Sequence, residues 1–159
     1  MSVGDRRKYM LIELPHGLFV DLRNMVSSLT DAGLRPILAH PEQQPELLED
    51  PGLIEQLIEL GCLIQVSTKN ITDPPERINS RTLKSWFKRG IVHVLGTDGH
   101  STRRRAPRMA AAYEQVLRWI GPGAADRVCS TNGMAVLQGV SLRVPEPLPR
   151  ARGWFRAFW

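Results

Sequence analysis

Short apolar runs alternate with helically spaced apolar positions along most of this chain. Residues 9–14 (YMLIEL) are almost continuously apolar and predict a buried strand that ends near the carboxylate of Glu13. Leu18, Leu22, Val26 and Leu29 then recur at helical spacing, which predicts a helix over 18–32 stopped by Gly33. Residues 34–39 predict a second strand, ending at His40-Pro41, and 45–60 a second helix with Gly61 just beyond it. Residues 62–66 predict a third strand. A helix over 80–89 follows, with Ser80 as its N-cap and Gly90 after its end. Residues 91–95 predict a fourth strand, running into Gly96-Thr97-Asp98-Gly99-His100, and further helices are expected at about 106–120, 123–130 and 131–138.

Repeated strand-then-helix units with continuously apolar strands imply an α/β fold, a parallel sheet covered by helices. Four units are visible, half of what an eight-fold β/α barrel requires, so a partial β/α barrel is the expected architecture. The expected organisation is an arm over 1–8, a β/α domain over 9–144, and a tail over 145–159. That tail, PEPLPRARGWFRAFW, is proline-rich and then arginine/aromatic, and is expected to lie outside the core.

Composition narrows the class. A chain of 159 residues, 42% apolar and 23% charged, is an ordinary globular domain with material for a core. No apolar run approaches the ~20 residues of a membrane-spanning helix, and the first apolar stretch is too short for a secretory leader. A cytoplasmic location is therefore expected. Cys62 and Cys129 are far apart and lack metal-ligand spacing, so both are expected as free thiols.

The net charge of +5 favours anionic partners. The arginines concentrate at 103–108 and 150–156, and no zinc-finger, RNP-like or helix-turn-helix pattern accompanies them. Nucleic acid is therefore not the expected partner. A phosphate-bearing substrate or an acidic protein fits the charge as well. Arg150, Arg152, Trp154, Phe155, Arg156, Phe158 and Trp159 make the tail a candidate for membrane-surface contact, against the alternative of packing on its own domain. A half-barrel would leave sheet edges and an apolar face open, so a homo-oligomer, or pairing with a complementary N-terminal half, is expected.

Ligands of parallel α/β folds bind at the carboxyl ends of the strands. Glu13, His40, Asp98 and His100 are placed there. If the fourth strand stays extended through Asp98 and His100, these two project to the same side. Carboxylates with imidazoles suit Mn²⁺, Fe or Zn²⁺, and the lack of thiolate ligands argues against a structural zinc. Each motif has a plainer reading: Asp98 as an N-cap with His100 on the surface, and Pro41 as a helix opener. Glu13 inside a strand is harder to explain structurally, because an unpaired buried carboxylate is costly. His93, within an apolar strand, reads as a hydrogen-bonded core histidine, and His16 as a loop histidine. Arg103, Arg104, Arg105 and Arg108 follow the Asp98/His100 pair, and an arginine fork beside a metal centre can hold phosphate oxygens bidentately.

The segments YMLIELP, ILAHPEQQPEL, LGCLIQVS, GIVHVLGTDGHSTRRRAP and TNGMAVLQG, in this order and spacing, resemble successive landmarks of the PHP superfamily (polymerase and histidinol phosphatase). They resemble most its bacterial tyrosine phosphatases linked to capsular and exopolysaccharide synthesis. The resemblance runs from about Tyr9 to Gly139 and corresponds to the later part of the family's domain, so the family's N-terminal part, with its His-x-His strand, is expected to be missing. The resemblance implies a β/α barrel holding metal ions, often manganese. Glu13, His40, Asp98 and His100 match metal ligands, and Arg105 matches an arginine that contacts the substrate phosphate. His40 and Arg105 are then the catalytic candidates. Gln43 stands where the family's His-Pro-Glu-Arg motif carries arginine. The implied activity is a metal-dependent phosphoesterase of protein-tyrosine phosphatase type, acting on a polysaccharide-biosynthesis tyrosine kinase, with partial metal occupancy. The alternative is a catalytically silent module that binds a phosphorylated or acidic partner.

Overall fold

The computed structural model describes residues 2–15, 17–75, 78, 80–102 and 106–149. Four strands form one parallel sheet in sequential order: β1 (Tyr9–Glu13), β2 (Arg35–Ala39), β3 (Leu63–Ser67) and β4 (Val94–Gly96). The register pairs Glu13 with Ala39, Ala39 with Gln65, and Ser67 with Gly96, so the carboxyl ends of the strands lie along one rim. Parallel neighbours in chain order are what consecutive β/α units produce, and the α/β expectation holds.

One sheet face is covered by helices. Leu38, Ile64, Val66 and Leu95 pack there with Val26 of α1 (Arg23–Asp31), Ile54 and Leu57 of α3 (Pro51–Glu59), and Leu83, Trp86 and Phe87 of α5 (Ser80–Lys88). Val116 of α6 (Ala110–Ile120) and Ala125 of α7 (Pro122–Asp126) complete this core. The opposite face holds a smaller cluster of Tyr9, Ile37, Leu63 and Val94, capped by Val136 of α8 (Asn132–Gln138). A π-helical turn, Arg127–Thr131, joins α7 to α8. Beside this cluster an apolar cavity of about 400 Å³ is flanked by Leu11, Met134 and Leu137, each about half exposed.

Three expectations on the elements change. The helix expected over 45–60 is two helices, α2 (Pro45–Glu49) and α3, because Pro51 bars its predecessor from helical geometry. Asp50 is accordingly non-helical, and its side chain accepts from Gly52 N at 3.0 Å, starting α3 afresh. The helix expected from residue 18 begins only at Arg23, whose amide is held by the Asp21 carboxylate at 3.0 Å. The fourth strand begins at Val94 because the His93 ring takes a ladder position: Ile64 N donates to its Nδ1 at 2.9 Å. His93 is thus a hydrogen-bonded core histidine, 3% exposed, and burial holds its pKa down at about 4. Cys62 and Cys129 are both free thiols.

Residues 145–149 return to Arg89, the residue just after α5. Leu148 N donates to Arg89 O and Arg89 Nε to Leu148 O, both at 2.8 Å, while Arg89 also pairs with Glu55 at 2.7 Å. The arginine and aromatic residues at 150–159 lie outside the described residues, as does His16.

Candidate functional site

The carboxyl ends of β1, β2, β3 and β4 open into a cavity of about 590 Å³. Glu13, His40, Asp98 and His100 all line it, joined by Gln43, Ser67, Lys69, Asn70 and Asp73. Four polar residues separated by up to 87 positions in sequence are thereby gathered at one rim (Glu13 to His100).

They meet as two pairs. His40 Nε2 lies 3.2 Å from Glu13 Oε1, across the β1–β2 junction. His100 Nδ1 lies 3.2 Å from Asp98 Oδ1 and 2.9 Å from Asp98 O. Two of the four sit in left-handed backbone: His40 at φ 36° and Asp98 at φ 51°. Such conformations cost on the order of 1 kcal/mol or more for a residue with a Cβ and persist where surrounding structure enforces them. The enforcement at His40 comes from its amide, which donates to Gln65 O at 2.7 Å, and from the 3-10 turn Pro41–Gln43 that follows.

The left-handed turn at Asp98 corrects one expectation. β4 ends at Gly96, so extended geometry does not carry through to His100. Instead the loop folds back, and its Gly99 lies against Pro107 so closely that an added Cβ would meet the Pro107 Cβ at 3.1 Å. At Gly96 an added Cβ would fall 2.2 Å from Gln65 Nε2, so the Gln65 side chain would have to move aside. Glu13 also differs from expectation: its side chain is 58% exposed and is paired with His40, so it is not a buried orphan.

The buried carboxylate of this region is Glu42. It is fully buried, and its Oε1 accepts from Ser67 N at 2.9 Å and from Asn70 Nδ2 at 2.7 Å. Among the described residues its Oε2 has no hydrogen-bond partner. Burial pushes this carboxyl up to about 7 against the pull of those two hydrogen bonds, and the charge of Asp98 adds to the rise. Glu42 thus ties the turn after β2 to the end of β3 and to α4 (Thr68–Thr72), and holds from outside the cavity two residues that line its floor, Ser67 and Asn70. In the sequence it stood only as the third letter of His40-Pro41-Glu42, with nothing local to distinguish it from a surface glutamate. Lys69 and Asp73 were also invisible as site residues, because the short helix that presents them follows β3 without a turn signal. Arg105 lies outside the described residues.

The donor types fit a divalent cation. Two donors about 2.1 Å from one ion at near-right or tetrahedral angles stand roughly 3.0–3.4 Å apart, and both pairs have that spacing. Among the described residues no group of three or more His, Cys, Asp or Glu converges on one point. Each pair can therefore give an ion two protein ligands and leave its other positions to water or phosphate oxygens.

The tyrosine-protein phosphatase CpsB of Streptococcus pneumoniae is 25% identical over 126 residues, 76% of this chain and 51% of that protein. The tyrosine-protein phosphatase YwqE of Bacillus subtilis is 29% identical over 117 residues, 66% of this chain and 41% of that protein. The chain therefore spans about half the length of the curated relatives it matches. Its fold is also that of a solved structure, with a TM-score of 0.83 at 22% identity, covering 96% of this chain and 61% of the other. That structure belongs to work on YwqE from Bacillus subtilis and CpsB from Streptococcus pneumoniae, "unique metal-dependent tyrosine phosphatases". The family model for capsular polysaccharide synthesis, CpsB/CapC, matches residues 3–138, and the chain belongs to that family.

Proposed function

We propose that this chain carries the strand-end half of a metal-dependent phosphoesterase site that hydrolyses phosphotyrosine on proteins of capsular or exopolysaccharide synthesis. The observation that supports it is the gathering of Glu13/His40 and Asp98/His100 on one cleft. The metal-dependent tyrosine phosphatases CpsB and YwqE, which share its fold, support the same reaction. Manganese is the proposed ion, with iron or zinc compatible with the same donors. When bound, such an ion supplies Lewis-acid neutralisation of phosphoryl charge.

The chain's own residues do the rest. Glu13 and His40 orient one another across β1 and β2, and Asp98 with His100 forms the facing pair. Glu42 fixes the floor from below without lining the cavity. A volume of about 590 Å³ is in the range that small-ligand sites of roughly 300–1,000 Å³ occupy, enough for an aryl phosphate. Arg105 is proposed as a phosphate contact on the strength of the family resemblance, and the cytoplasm as the site of action.

A second reading has its own support: with no group of three or more donors among the described residues, the cleft can bind a phosphorylated or acidic protein without turning it over. Phosphate release from a phosphotyrosine peptide, measured with and without Mn²⁺, separates the two. Mn²⁺-dependent release establishes the enzyme. Saturable peptide binding without release establishes the silent module.

A further inference from the structure

Among the described residues that line the cleft, the carboxylates of Glu13, Asp73 and Asp98 face two histidines and a single lysine, Lys69. A phosphate dianion entering such a cleft meets net negative charge unless cations compensate it. Gln43, the residue next to the buried Glu42, lines the same cleft and is neutral. Lys69 is the second residue of α4 and lies in the chain between two residues held by Glu42: Ser67 N and Asn70 Nδ2 both donate to Glu42 Oε1. It also lines the adjoining cavity of about 370 Å³, together with Arg108, so it stands on the ridge where the two spaces meet. Among the described residues its ammonium makes no ion pair, although Asp73 and Asp98 line both cavities with it.

We propose that Lys69 is a phosphate-holding cation of this cleft, beside the contact proposed for Arg105, in a lining where Gln43 is neutral. The proposal rests on the phosphoesterase reading and adds a substrate-binding residue to it. A lysine ammonium is a compact point charge on a flexible stem, so it can follow a phosphoryl oxygen without demanding bidentate geometry. With its backbone set in α4 and flanked by residues that Glu42 holds, Lys69 has chiefly its four-carbon stem to order on binding. Charge elsewhere in the same lining serves the same purpose, so an arginine at position 43 should replace Lys69 in part.

The test uses the full chain with Mn²⁺ and inorganic phosphate as the probe, with phosphotyrosine peptide turnover as a second readout. Lys69→Met should weaken phosphate binding roughly ten- to hundredfold. Lys69→Arg should keep most of it, and Gln43→Arg in the Lys69→Met background should recover part of what was lost. Lys84→Met, a change of an exposed lysine on α5 that lines neither cavity, should leave it unchanged. Thermal unfolding of all four variants should match the parent, which separates lost binding from lost fold. Phosphate affinity that survives Lys69→Met overturns the proposal. Absence of peptide turnover in the parent chain contradicts the phosphoesterase reading, while the phosphate titration still decides the role of Lys69.

Discussion

Replacing Glu42 by alanine removes the acceptor that Ser67 N and Asn70 Nδ2 share, and leaves two donors unsatisfied in a fully buried place. The expected loss is about 2–4 kcal/mol in urea unfolding, with the strand-end cleft loosened first. An unchanged midpoint would show that the floor of the site is held by other contacts. His93 makes a second, titratable test. Its folded pKa of about 4 lies below the ordinary 6.5, so the folded state takes up a proton less readily than the unfolded one. The stability it contributes is therefore complete above pH 6.5 and is lost as pH falls toward 4. Between pH 7.5 and 5 this amounts to about 2 kcal/mol. Asparagine can keep the acceptor for Ile64 N without titrating, so the gap between parent and His93→Asn should narrow by about that much across the same interval. Because Glu42 shifts the opposite way, the quantity to compare is the difference between the two proteins rather than either pH profile alone. Parallel profiles would mean that His93 is not the titrating group.

At the level of elements, the strands and the parallel order were legible because buried strands in such sheets are predominantly apolar, as in residues 34–39 and 62–66, each with a single polar residue (Arg35, Gln65). The glycines at 33, 61 and 90 marked real helix ends, all three with positive φ. What stayed hidden has a common physical cause: local side-chain chemistry that overrides periodicity. Pro51 splits a helix that apolar spacing alone would continue, and the His93 ring substitutes for a strand carbonyl. In the site, Glu13, His40, Asp98 and His100 could be placed at strand ends from the sequence. The Glu42 floor could not, since its burial arises from β3 and α4 contacts distant in the chain. The strap over 145–149 likewise depends on Arg89, 59 residues away from Leu148. Deleting residues 145–159 should leave the fold intact but cost about 1–2 kcal/mol, because Arg89 O and Nε lose their Leu148 partners. Loss of all folded protein would show instead that this segment belongs to the core.

At the scale of the whole molecule, a basic chain, net +5, presents an acidic and imidazole-bearing cleft at one rim of a parallel sheet. The net positive charge of the chain attracts phosphate-bearing macromolecules, while the carboxylates and imidazoles of the cleft suit a cation. The proposed function requires the two donor pairs to hold that cation. The direct measurement is Mn²⁺ binding, followed by electron paramagnetic resonance, for the parent chain and for His40→Ala and Asp98→Asn. The parent should bind Mn²⁺ weakly, since each pair offers two ligands, and each variant should lose at least roughly tenfold in affinity at its own pair. Mn²⁺ affinity unchanged in both variants would contradict the account.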